Sequence, residues 1–159
     1  MPALVRVATG VSLPVIGGLV VSALTFSGAI SVLLLRSAAP GRIMSGGIVA
    51  LAVGVAITLA GVREQLVWLM LVGTVISGIG FGAAFSGTMR TVLPLAKTDE
   101  RAGLLAAFYV EGYLSFSLPA VLAGLAVPMV GLPVAAYVYG TVVIVMALAS
   151  MIAVGFSRH

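Results

Sequence analysis

Five long apolar segments limit how this chain can fold. They cover residues 14–35, 43–62, 66–89, 102–125 and 133–156. About 20 apolar residues in a helix span the roughly 30 Å hydrocarbon core of a bilayer. None of the segments shows the alternation of a membrane β-strand, so each is predicted to be a helix that satisfies its own backbone hydrogen bonds. The predicted fold is all-α: a polytopic bundle of five transmembrane helices in one membrane domain, residues 1–159.

The composition indicates that the chain is solvated by lipid. Hydrophobic residues make up 62% of it and charged residues only 8%, whereas a soluble domain carries roughly 25% charged residues. The few basic residues are scattered, which argues against a nucleic-acid partner. There is no cysteine, and the single histidine is the last residue, His159. We therefore expect no metal site, no cofactor and no enzymatic activity.

The basic residues predict an orientation in the membrane. Only Arg6 and Arg63 fall on one side of the five-helix topology. The other side holds Arg36, Arg42, Arg90, Lys97, Arg101 and Arg158. Because cytoplasmic loops are enriched in Lys and Arg, the sequence predicts a multi-pass protein of the plasma or inner membrane. Its amino terminus would be outside and its carboxy terminus in the cytoplasm.

Glycine is concentrated in the third segment, GTVISGIGFGAAFSG. Two of these glycines, Gly78 and Gly82, have the G-x-x-x-G spacing that allows helix backbones to approach closely in a membrane. A dinucleotide-binding loop would instead need a preceding strand and an accessible helix start, which a membrane span does not offer. The sequence predicts a helix–helix contact at Gly78 and Gly82.

The loops on the basic side carry four candidate anchors: Arg36, Arg42, Arg90 and Arg101. Their charges suit the membrane topology. A second interpretation is that the arginines of the first loop form a latch on the carbonyl ends or acidic groups of neighbouring helices. In the second loop, Thr98 or Asp99 is predicted to cap the fourth helix.

Glu111 is the only acidic residue within the apolar segments. Counting from residue 102 at 1.5 Å per residue places it about 13–14 Å into the hydrocarbon core, close to the midplane. A charge there costs on the order of 2.5–3.5 kcal/mol. Ser115 shares its direction, whereas Tyr109 and Tyr113 form a separate aromatic stripe, and both faces are expected to contact protein or water. Pro119, eight residues on, permits a bend.

Two roles for Glu111 are open. It could be a carboxylate that binds a proton or a substrate, with Ser115, Tyr109 and Tyr113 as cavity contacts. It could instead be a protonated side chain that is hydrogen-bonded inside the bundle. Acidic residues within membranes are usually functional, which favours the first role.

A glycine-rich helix that ends at Arg90 is followed by ERAGLLAAFY and then by SLPAVLAG. These features resemble the tenth and eleventh helices of bacterial major facilitator superfamily (MFS) transporters. GGLVVSALTFSGAISVLLLRSAAPGR resembles the eighth helix and the loop that follows it, and the last segment resembles the twelfth. The resemblance covers nearly the whole chain. It implies a truncated carrier, with the carboxy-terminal five helices of a twelve-helix protein.

The resemblance implies secondary transport of a small solute, and Glu111 would be the protonatable group that makes this transport proton-coupled. The expected partners are the lipid bilayer, a small-molecule substrate, and either the missing amino-terminal helices of the same carrier or a second copy of this chain. Two alternatives are a membrane protein with a structural or interaction role, including an inactive fragment, and a small carrier that must dimerise.

Overall fold

The computed structural model describes the backbone of residues 14–156 and the side chains of residues 21–115 and 117–153. Within this part the chain forms five α-helices and a short 3-10 helix, Leu93–Leu95, with no strand. The α-helices are α1 (Pro14–Leu34), α2 (Pro40–Arg63), α3 (Val67–Val92), α4 (Arg101–Val130) and α5 (Leu132–Phe156). The predicted all-α fold is confirmed.

Four helical stretches are long and apolar enough to cross a membrane, as expected of a membrane-embedded protein. They are Pro40–Arg63, Val67–Leu95, Arg101–Val130 and Leu132–Ala153. In α1, the part with described side chains, Val21–Leu34, is apolar but shorter than a span. The fifth span therefore stays a prediction.

Helix boundaries follow local backbone chemistry. α2 begins at Pro40, whose fixed φ and missing N–H suit the first turn of a helix. The predicted cap of α4 by Thr98 or Asp99 is wrong. The backbone N–H of Glu100 donates to Lys97 O at 3.0 Å, which closes a turn with Thr98 and Asp99 at its tip. Glu100 therefore takes the cap position of α4, and its side chain makes no capping hydrogen bond.

α4 is longer than its predicted segment because it continues through Pro119 and Pro128 to Val130. It ends at Gly131, whose φ of 83° is accessible to glycine without strain. That single residue is the whole connection to α5. Pro119 therefore lies inside a continuous helix, and the predicted bend stays a prediction.

α3 is the central helix of the molecule. It packs along α2 in an antiparallel direction and along α1 in a parallel direction, while α5 packs on α2. α4 lies at the edge, where it contacts mainly α5 and the short 3-10 helix. The helices thus form a three-helix body, α1–α2–α3, with α5 and then α4 attached through α2.

Small residues fill the interior. Among the described residues Met70 is the only large side chain that is fully buried, and most other buried positions are Gly, Ala, Ser or Thr. Large Leu, Val and Ile side chains point outward. This distribution suits a bilayer, where lipid tails solvate large apolar side chains and small residues allow close helix packing.

Candidate functional site

α4 holds the candidate carboxyl group and contacts the other helices along a narrow stripe. Its partly buried residues recur at helical spacing, among them Leu105, Phe108, Gly112, Pro119 and Ala123. The Phe108 ring meets the Phe85 ring of α3 edge-on, with centroids 5.0 Å apart. No described side chain of α4 is fully buried. The helix is therefore covered on one side only.

The candidate residues lie on the two flanks of this stripe. At about 100° per residue, Glu111 and Ser115 fall on one flank and Tyr109 and Tyr113 on the other. All four are exposed, with Tyr109 at 52% and Tyr113 at 74%. Within the described part of the chain, Glu111 has neither a hydrogen bond nor an ion pair.

The structure therefore groups Glu111 with Ser115, as the helical spacing predicts, and separates both from the tyrosines. The sequence predicted that both faces contact protein or water, but no described helix packs against either of them. An open hollow of about 490 Å³ lies further toward the basic end, between Val92–Ala96 and the first turns of α4, with Glu100 on its wall. Glu111 does not line this hollow. Among the described acidic residues, only Glu111 lies far from both ends of a helix.

The four predicted anchors differ in what they contact. Arg90 is partly buried at the end of α3, and its Nη1 donates to the carbonyl oxygen of Leu35, just past the end of α1, at 3.4 Å. Arg101 Nε donates to Ala96 O at 3.5 Å. Arg36 and Arg42 are exposed and make no ion pair among the described residues. The carbonyl end of a helix is thus held by Arg90 and not by the arginines of the first loop.

The predicted close packing at Gly78 and Gly82 is observed, and the partner helix is α1. A Cβ on Gly78 would meet Leu24 O at 2.5 Å and the hydroxyl of Ser27. A Cβ on Gly82 would lie 2.6 Å from Ser31 Oγ and would also meet Gly28 O. Backbone atoms of α1 cannot give way, so both positions require glycine.

A second glycine contact was missed by the sequence analysis. Glycines recur every seven residues in α2 at Gly47, Gly54 and Gly61, and in α3 at Gly73, Gly80 and Gly87. Because the two helices are antiparallel, the two series alternate along the interface. The signal was present in the sequence, but it is visible only when both helices are compared with a period of seven.

These contacts show how closely the two helices approach. A Cβ on Gly61 would lie 2.7 Å from the backbone nitrogen of Met70, and one on Gly87 would lie 2.6 Å from that of Met44. At the centre, Gly54 faces Ser77 and Gly73 faces Thr58. We call the six heptad glycines the glycine seam.

Buried hydroxyl groups near these contacts are mostly satisfied within their own helices. Thr58 and Thr74 donate to carbonyl oxygens four residues earlier, and Ser31 donates to one three residues earlier, at 2.8–2.9 Å. Ser77 Oγ is the one buried side-chain polar atom without a partner in the described part. It lies 2.5 Å from the position of a Cβ on Gly54, so it fills the interface and lines no open site.

No group of His, Cys, Asp or Glu side chains that could hold a metal ion occurs among the described residues. No family model, no curated protein and no solved structure matches this chain. Its function must therefore be argued from the residues and their arrangement.

Proposed function

We propose that this chain forms part of an MFS-type secondary carrier that moves a small solute, with Glu111 as the group that binds and releases a coupling proton. The observation that carries the proposal is the exposed position of Glu111 in an otherwise apolar helix. A carboxyl group at that depth is costly in lipid, so other helices or a watered cavity must cover it in the working protein.

The arrangement of the other helices supports this proposal. Each half of an MFS carrier consists of two three-helix repeats of opposite orientation. In that scheme α1 corresponds to α4, α2 corresponds to α5, and α3 corresponds to a helix that would precede α1. α3 packs on both α1 and α2. The preceding helix would then pack on α4 and α5, and α4 is the helix most in need of a partner.

Glu111 would couple the proton to a change in solvation. In its protonated form it can donate a hydrogen bond to a neighbouring helix, whereas the carboxylate requires water or a donor. The proton would enter from one side of the membrane and leave to the other as the carrier alternates. Coupling requires only that the two conformations bind the proton with different affinities.

The upstream coding sequence tests the carrier proposal directly. We expect about seven further apolar segments of about 20 residues each. The matching measurement is transport by the complete protein in liposomes with an imposed pH gradient. A complete chain with no further spans would contradict the twelve-helix carrier.

The exposed flanks of α4 also favour a second candidate, a small carrier that dimerises through this helix. The chain has no cysteine, so single-cysteine cross-linking is free of background. Tyr113→Cys should form a cross-linked dimer in membranes if α4 is the dimer contact, whereas Thr74→Cys, buried between helices, should not. A Tyr113→Cys variant that stays monomeric under oxidation would exclude this arrangement.

A further inference from the structure

Three arginines lie at one end of the three-helix body. Arg90 reaches Leu35 O, which directly precedes Arg36 in the turn between α1 and α2. Arg42 lies in the first turn of α2, and the adjacent backbone of Pro40 and Met44 packs against Gly87, one turn before Arg90. The fold therefore brings together arginines that are up to 54 positions apart in the chain.

Among the described residues, these arginines have no carboxylate partner. The one ion pair among the described residues joins Arg63 Nε to Glu64 Oε1, 4.0 Å apart, at the opposite end of α2. Arg90 uses one N–H on Leu35 O, and a guanidinium group has five N–H donors. The basic end thus keeps several guanidinium N–H groups that are free to bind an anion. At the other end of the body, the charges of the described residues Arg63 and Glu64 cancel.

An apolar surface adjoins the arginines. In the last turn of α1, Leu33 is 67% exposed and Leu34 is 76% exposed, immediately before the turn that carries Arg36. Cationic donors beside exposed aliphatic side chains fit a molecule with an anionic head and an acyl tail. Guanidinium groups bind phosphate oxygens in a bidentate geometry.

We propose that Arg36, Arg42 and Arg90 bind the phosphate of an anionic phospholipid whose acyl chain lies on the exposed leucines at the end of α1. Basic sites between transmembrane helices bind anionic lipid head groups. The bound lipid would join the end of α1 to the start of α2 and the end of α3. This inference requires only that the helices span a bilayer and does not depend on transport.

Native mass spectrometry of the full chain in detergent, titrated with phosphatidylglycerol or with phosphatidylcholine, tests the proposal. We expect the wild type to retain phosphatidylglycerol preferentially. Arg36→Gln with Arg42→Gln should weaken that binding by about fivefold per arginine, which corresponds to about 1 kcal/mol each. Arg90 is left intact in this variant because it also holds the end of α1.

The matched control is Arg63→Gln, which removes an exposed arginine from the opposite end and should leave lipid retention unchanged. An equal loss in this control, or no loss in the double variant, would overturn the proposal. Inorganic phosphate should not compete; competition at the same concentration as the lipid would show a free-phosphate site instead. If the double Gln variant fails to fold, Arg36→Lys with Arg42→Lys replaces it, because lysine retains the charge but cannot bind phosphate in a bidentate geometry. Weaker retention of phosphatidylglycerol by this variant would support the proposal, and retention equal to that of the wild type would overturn it.

Discussion

Glu111 combines a position deep in an apolar helix with an exposed side chain, so its role depends on what covers it. Glu111→Gln retains the shape of the side chain and its ability to donate a hydrogen bond but cannot release a proton. In the proposed proton-coupled carrier, we expect this variant to fold normally, to lose proton-driven transport and to retain solute exchange. The measurement is uptake by proteoliposomes with and without a pH gradient. Normal driven uptake by the variant between pH 5 and 9 would make Glu111 a structural residue.

Glu100→Gln is a suitable control for that experiment, because Glu100 is an exposed acid at the start of the same helix. We expect it to leave driven uptake unchanged. The sequence was sufficient to single out Glu111, since one acid in an apolar helix is visible without a structure. It could not supply the surroundings of Glu111, because these depend on which helices pack on α4.

At the scale of helix pairs, the α1–α3 contact gives a stability prediction. Leu at both Gly78 and Gly82 would place side chains where Leu24 O and Gly28 O lie. Overpacking of this kind typically costs about 1–3 kcal/mol per site. We expect a lower thermal unfolding midpoint in detergent. Gly103→Leu with Gly124→Leu, at exposed positions with nothing within 4 Å of an added Cβ, is the comparison, and equal stability of the two double variants would refute the packing.

The glycine seam allows a closer comparison between adjacent residues. A Cβ on Gly47 would meet the Ala84 nitrogen and would lie 2.7 Å from Gly80 O, whereas one on Gly46 has nothing within 4 Å. Gly47→Leu should therefore destabilise the α2–α3 pair by at least about 1–3 kcal/mol, and Gly46→Leu should have little effect. Unfolding of both variants in detergent measures the difference; a similar loss in both would mean that α2 and α3 are not paired as described.

Gly78 and Gly82 could be predicted from a short spacing within one helix, but the seam could not be recognised in the same way. Its spacing of seven residues gives no local motif, and its meaning depends on a second helix that runs in the opposite direction. The helix limits were predicted to within a few residues, except at the end of α4. There Pro128 and Gly131 lie in the predicted loop after residue 125, yet the helix continues through Pro128 to Val130.

For the whole molecule, the alternation of the helices predicts that reporters in successive turns lie on opposite sides of the membrane. Fusions after Arg36, Gln65, Asp99 and Gly131 should report inside, outside, inside and outside, because the basic turns are expected in the cytoplasm. Alkaline phosphatase and fluorescent-protein fusions provide the measurement. Two neighbouring sites on the same side would contradict five spans.

Which helices contact one another could not be inferred from the sequence, because all five segments have similar apolar composition. The structure places α3 at the centre and α4 at the edge, so neighbours in the chain are not always the closest neighbours in space. α4 meets the other helices along a single stripe, and none of its described side chains is fully buried. The surface of α4 that the described residues leave uncovered is where the proposed missing helices or second copy would pack.

The glycine seam also restricts how the length of this chain can vary. A substitution at one seam glycine disturbs one level of the interface, whereas one residue inserted between Gly47 and Gly54 would turn every later position of α2 by about 100°. Gly54 and Gly61 would then both turn away from α3, and bulkier side chains of α2 would face α3 in their place. Homologous chains that keep the α2–α3 pair should therefore vary freely at the residues that face lipid. Their insertions and deletions should fall only in the turns, where the seven-residue spacing of the glycines is not disturbed.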